Sequence, residues 1–352
     1  NKLYDLEEIL LLCVCAVISG AEGWESIRAF GLTKLAWLRQ FLPYTNGIPS
    51  ADCLGWVMAR LSPTAFQACF MAWTRSVAKL SAGEVVAIDG KTLRRSYDRR
   101  HGCRAIHMVS AWADANRLSL GQVATAEKSN ELTAIPKLLE LLELTGCIVT
   151  IDAMGCQKTI AAQIVATGAD YVLAVKANQP LLYEAIDDYF EIARAAHFQA
   201  VPAHFHEHLD ADHGRYEVRR YWLVNELSTL PEPHSWARLR GIGMVETERH
   251  EGGRISRQRR YYITTLVADA RAFANAVRAH WGVENRLHWV LDVTFREDES
   301  RIRQANAPAN FNTIRQFALN LLQRAQPAGS VKQKKFNAAL DDDFRAKVLF
   351  QQ

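Results

Sequence analysis

From Glu84 onward the chain reads as three short strands, a helix, a strand, a helix, a strand and a helix. The first strands are "EVVAID", "RAIHMVSAWAD" and "RLSLGQVATA", the last alternating apolar and polar residues with the period of two that marks a half-buried strand. "ELTAIPKLLELLEL" has helical spacing, "CIVTID" is a buried strand, "QKTIAAQIVATGA" a helix, "DYVLAVK" a strand and "PLLYEAIDDYFEIARAA" a helix. This succession predicts an α/β fold, a mixed sheet with helices on its faces whose first three strands form an antiparallel meander.

The remainder divides around that core. Residues 1–80 read as an all-helical domain, with Pro63 suited to a first helical turn after Ser62; packing is the first reading of these helices and DNA contact the second. Residues 84–197 form the first part of the core. Residues 198–262, with "YEVRRYWLV", "LRGIGMVETERH" and "RQRRYYITTL", read as a β-rich insertion. Residues 263–325 return to helical patterns and complete the core. Residues 326–352 form a tail, in which "DDDFRAKVLFQQ" reads as a short peripheral helix. The apolar run Ile9 to Ala21 is too short for a membrane span and reads as a core helix. The seven cysteines contain no CxxC pair, which fits a reducing cytoplasm better than a disulfide framework or a zinc site. The chain opens at Asn1 rather than methionine, which leaves upstream residues open.

Net charge is only +4, but basic residues cluster in "GKTLRRSYDRRHGCR", "GRYEVRR", "RISRQRR" and "KQKK". A solvated face is the default for each cluster; the first follows an acidic strand end. Asp89 closes "VVAID" and Asp152 closes "IVTID", and each projects from the carboxyl edge of the sheet, where open α/β sheets bind ligands. A capping role is the plain alternative for an aspartate in that place. The third acid, Glu284, lies in "HWGVENRLHW", where Val277, Trp281, Glu284, His288 and Leu291 repeat at the spacing of a buried helical stripe. Trp281 on that stripe and Trp289 off it are both expected in the core, with DNA contact a second reading for Trp289. Three carboxylates from two strands and a helix make an oxygen-rich nest suited to Mg²⁺ or Mn²⁺, and two such ions assist in-line displacement at phosphorus. Lys91, Arg94 and Arg95 are placed to hold a phosphate backbone.

The strings "AIDGKTLRRSYD", "EKSNELTAIPKLLELL", "TIDAMGCQKTIAAQI", "DYVLAVKANQP", "HGRYEVR", "RYYITTL" and "HWGVENRLHWVLDVTFREDESRIR" closely resemble the IS4-like DDE transposases. The nearest group is the ISAs1 family with its H-repeat-associated proteins, and the resemblance covers nearly the whole chain. It implies a ribonuclease H-like core with an Asp, Asp, Glu triad at Asp89, Asp152 and Glu284, two Mg²⁺ or Mn²⁺ ions, and a strand-rich insertion before the Glu. It further implies that the first and fourth strands are neighbours. The wider group carries a tyrosine, arginine, glutamate and lysine signature around the Glu; here His280 fills the arginine slot and Leu291 stands where the lysine would be. Lys176, Arg215 and Arg219 are the further candidate phosphate contacts, and His280, His288 and Asn285 the candidate supports of the metal site.

The expected partners are double-stranded DNA, as the element's terminal repeats and as target, and by the resemblance a second copy of the chain. No membrane is expected, and the place of action is the cytoplasm, at the nucleoid when DNA is bound. Two rival readings stay open. His280 and His288, at intervals of four around Glu284, could bind zinc in a hydrolase, although the spacing HExxH is absent. The chain could also be a catalytically silent DNA-binding remnant of a mobile element. Asp292, Glu297 and Asp298 are the alternatives for the third acid.

Overall fold

The computed structural model describes residues 3–98, 102, 104–125, 131–199, 201–212 and 215–350. Four helices open the chain, α1 (Leu6–Ile18), α2 (Trp24–Leu38), α3 (Ala51–Arg60) and α4 (Pro63–Val77). Ser62 caps α4 by accepting from the backbone N–H of Ala65, and Pro63 occupies the first turn, where a missing N–H costs nothing. Then come β1 (Val85–Thr92), β2 (His107–Ala113), β3 (Leu118–Thr125), α5 (Glu131–Leu141), β4 (Ile148–Ile151), α6 (Lys158–Ala166), β5 (Asp170–Val175) and α7 (Pro180–Ala195). This is the predicted succession. Strands β1, β2 and β3 form the antiparallel meander, while β4 pairs parallel with both β1 and β5. The result is a mixed sheet with helices on its faces, as the sequence predicts.

Four strands follow: β6 (Ala203–Asp212), β7 (Arg215–Val224), β8 (Gly241–Glu251) and β9 (Arg254–Thr264). The sequence marked three of them. β6 escaped because "AHFHEHLDAD" is an edge strand whose apolar residues Phe205 and Leu209 face solvent, so no buried face shows in its pattern. The four do not form a separate sheet: β9 pairs antiparallel with β5, and one nine-stranded sheet runs β3-β2-β1-β4-β5-β9-β8-β7-β6.

Helices α5, α6 and α7 cover one face, where Val86, Ile88, Val149, Ile151 and Leu173 meet Leu138, Ile160, Ile186 and Phe190. The other face receives α8 (Ala270–Gly282), whose Phe273 and Val277 pack on Val172, Tyr221, Val245 and Tyr262. Ala87 and Trp112 on that face meet a second core formed by α1–α4 and the long α10 (Ala307–Arg324). The end of the chain is not peripheral. Helices α11 (Val331–Leu340) and α12 (Asp342–Phe350) close this core, with Val348 fully buried and the Arg345 guanidinium over Trp37, 4.2 Å from its ring centroid. Arg345 also donates to the backbone of Ala338 and pairs with Asp342, which is how a charged residue satisfies a buried position. No helix among the described residues is long and apolar enough to cross a membrane.

Candidate active site

Because β1 and β4 run parallel with Ile88 opposite Ile151, the next residue on each, Asp89 and Asp152, stand side by side at the carboxyl edge; adjacent strands lie about 4.8 Å apart. Alternation turns Ile88 and Ile151 into the core under α5–α7 and the two aspartates toward α8. Asp152 also caps the 3₁₀ turn Ala153–Gly155, its Oδ1 accepting from the N–H groups of Met154 (3.0 Å) and Gly155 (3.4 Å). The capping role, the plain alternative for this residue, is therefore real.

Past α8 the helical run changes pitch. Residues Val283–His288 form a π turn before α9 (Trp289–Val293). The wider turn shifts the phase of everything after it, so the buried stripe is Val283, Leu287 and Leu291 rather than the predicted Trp281, Glu284 and His288. Glu284 is consequently exposed and free of any hydrogen bond or ion pair among the described residues. Trp289, expected in the core, is 57% exposed past the turn, and Trp281, expected there too, is 37% exposed on α8 ahead of it.

Asp89, Asp152 and Glu284 line one cavity of about 300 Å³, together with Lys176, Arg260, His280 and Trp281. The carboxylates feel one another. Partial burial and the negative charge of Asp89 raise the Glu284 carboxyl above the ordinary glutamate range, with Asp152 adding to the effect. Burial works in the same direction on Asp89, yet the hydrogen bond and charge of His288, with the charge of His280, outweigh it and hold that carboxyl below its ordinary value. His280 Nδ1 and Thr150 Oγ1 lie 3.0 Å apart, and burial lowers the imidazole pKa. Both histidines are thus engaged with the residues that frame the aspartates. Among the described residues, no three of His, Cys, Asp and Glu are grouped so that they could hold a metal ion.

The other candidates scatter. Lys91 is buried and ion-paired with Asp292 and Glu297, which removes it as a ready phosphate contact and removes both acids as ready metal ligands. Asp298 pairs with the exposed Arg94 at 3.3 Å, and the Arg95 carbonyl accepts from Arg303. Lys176 is exposed in the carboxylate cavity. Arg219 is held by Glu217 and by Asp210 at 3.4 Å, and it lines the neighbouring cleft with Asn285, which does not face the aspartates. The Arg215 side chain lies outside the described residues. Two lysines of the "KQKK" cluster face inward while Lys332 is exposed: Lys334 donates to the carbonyls of Leu322 and Ala325 at the end of α10, and Lys335 to that of Thr294. Sequence reading missed Arg260, which lines both cavities and whose guanidinium lies 5.1 Å from the Trp281 ring centroid. The "RISRQRR" cluster marked its neighbourhood, and strand alternation could have singled it out.

Residues 80–321 match the family described as "Transposase DDE domain", and residues 1–74 the family "DDE_Tnp_1-associated". The chain is 41% identical to "Putative transposase YncI" of Escherichia coli O157:H7, over 98% of this chain and 89% of that protein. It is also 41% identical to "H repeat-associated putative transposase YhhI" of Escherichia coli K12, over 98% and 92%. A short relative, "Inactive transposase YbfQ" of the same strain, is 50% identical over 16% of this chain and 69% of its own length. A piggyBac transposase solved in a synaptic complex with hairpin DNA is 12% identical with a TM-score of 0.44, over 99% of this chain and 73% of that one, too slight a likeness to carry an argument. On the family match across most of its length and these full-length relatives, the chain belongs to the DDE transposase family.

Proposed function

We propose that this protein is an active DNA transposase that cleaves the ends of an insertion-sequence element and joins them to target DNA, with Asp89, Asp152 and Glu284 as its acidic triad. The observation that carries the reading is the single cavity lined by these three carboxylates, two of them set side by side by the parallel register of β1 and β4. The donor set fits Mg²⁺ or Mn²⁺: it is all oxygen, and it leaves room for water and phosphate oxygens to complete each shell, as magnesium sites do. Divalent ions bound there supply activation of the attacking oxygen and stabilisation of the leaving one.

The chain's own residues account for the rest. Asp89 is kept ionised by His288, and Asp152 is oriented by the N–H groups it caps. Lys176 and Arg260 supply positive charge at the cavity for a phosphodiester. Water oxygen attacks phosphorus, the bond to the 3′ oxygen breaks, and the freed 3′-hydroxyl then attacks a phosphodiester of target DNA in the same manner. The partner is double-stranded DNA, bound with a steep salt dependence because phosphate contacts release counterions.

The test is nicking of supercoiled plasmid by the purified chain with Mg²⁺, against Asp152→Asn. Loss of nicking in a folded Asp152→Asn variant supports the triad, and undiminished nicking removes it. A wild-type chain that binds DNA and never nicks it would favour the silent remnant.

A further inference from the structure

The π turn that carries Glu284 is held at both ends. Upstream, Val277 packs on the sheet and His280 meets Thr150 of β4. Downstream, the anchor is Lys91, two residues beyond Asp89 on β1 and so on the same face of the strand. Its Nζ pairs with Asp292 of α9 and lies 2.7 Å from Glu297 Oε2. Glu297 is nearly inaccessible, and its Oε1 accepts from Asn312 Nδ2 of α10 at 2.6 Å, with Arg315 at 3.6 Å. A lysine so little exposed is tolerated because two carboxylates meet it, and displacing the segment that carries both would leave its ammonium desolvated and unpaired. The bridge therefore ties the strand of Asp89 to the segment that follows Glu284. A π turn is closed by i→i+5 rather than i→i+4 hydrogen bonds, a wider and rarer winding than the α-helix on either side.

We propose that Lys91 is a positioning residue: its bridge to Asp292 and Glu297 holds the turn bearing Glu284 against the strand bearing Asp89 and so sets the spacing at which these carboxylates share divalent ions. The proposal rests on the triad reading above. It also assigns Lys91 a task other than phosphate contact, one performed through the metal-binding geometry.

The experiment is calorimetric titration of the full-length chain with Mn²⁺ in the absence of DNA, alongside plasmid nicking. Lys91→Met is expected to bind Mn²⁺ weaker by on the order of 10-fold or more, with nicking partly restored by raised Mn²⁺. Lys91→Arg, which keeps the charge and both partners, is expected to stay close to wild type. If Lys91→Met does not fold, Asp292→Asn cuts one arm of the bridge and should still weaken Mn²⁺ binding several-fold. A folded Lys91→Met or Asp292→Asn variant that binds Mn²⁺ as the wild type does overturns the proposal while leaving the triad standing. Absence of Mn²⁺ binding by the wild type removes both.

Discussion

His288 Nδ1 lies 3.4 Å from Oδ2 of Asp89, and its other ring nitrogen, Nε2, is buried without a hydrogen-bond partner among the described residues. The polar contact that this imidazole makes there is to a carboxylate of the candidate triad. Replacing it with Phe keeps a ring in the space and removes that contact. The Asp89 carboxyl should then titrate at higher pH, because burial no longer meets an opposing hydrogen bond and charge. Plasmid nicking should fall on the order of 10- to 100-fold, the usual cost of losing a partner of a metal ligand. Carboxyl NMR titration and the nicking rate measure the two effects separately.

Glu284 should ionise at higher pH than Asp89. Burial and the Asp89 charge raise it, so its carboxyl resonance should titrate above the ordinary glutamate midpoint and move down toward it in Asp89→Asn. A Glu284 midpoint indifferent to Asp89→Asn would show that the two side chains do not share a field.

Lys176 and Lys334 should behave oppositely toward DNA. Lys176→Ala removes an exposed charge from the carboxylate cavity, which should weaken binding to all sequences and lower the salt slope by about one. Lys334→Met should leave the slope unchanged, since its ammonium is spent on the carbonyls of Leu322 and Ala325. Filter binding across a salt series distinguishes them.

Burial pushes Lys335 down to about 8. Its folded value lies below the unfolded one, so between about pH 8 and 10.5 the unfolded chain binds the extra proton and stability rises with pH. Relative to Lys335→Met, the wild type should gain about 2–3 kcal/mol across that window, on the scale of 1.4 kcal/mol for each unit of displacement. Denaturant unfolding of both proteins at the two pH values reads it out, and groups common to both cancel.

Gly243 lies on β8 beneath Phe273 of α8, where an added Cβ would come within 2.3 Å of the ring. Gly243→Ala should cost about 1–3 kcal/mol, the range for overpacking a core. The loss would appear as a lower denaturation midpoint, because the strand of the insertion and the helix leading to Glu284 press on each other here.

How much of this was legible in the sequence follows from which signals are local. The three strands and alternating helices after Glu84 carry their own periodicity, and the aspartates at the ends of "VVAID" and "IVTID" could be placed on a sheet edge from it. Their adjacency came from family resemblance, since strand order is not encoded in any one segment; the register Ile88 to Ile151 is what the folded chain adds. The stripe through Glu284 was misassigned because period counting assumes 3.6 residues per turn, and Val283–His288 are wound more widely. Buried lysines were equally hidden. Nothing in "GKTLRR" or "KQKK" tells that Lys91 will meet two acids some two hundred residues away, or that Lys334 and Lys335 will turn inward onto carbonyls.

The most direct measurement is anomalous scattering from a crystal of the chain soaked in Mn²⁺. Manganese is expected in the cavity between Asp89, Asp152 and Glu284, and is expected to be lost in Asp152→Asn. An empty carboxylate cavity, or a tetrahedral zinc bound by His280 and His288 in zinc-soaked crystals with Asp89 and Asp152 unligated, would contradict it.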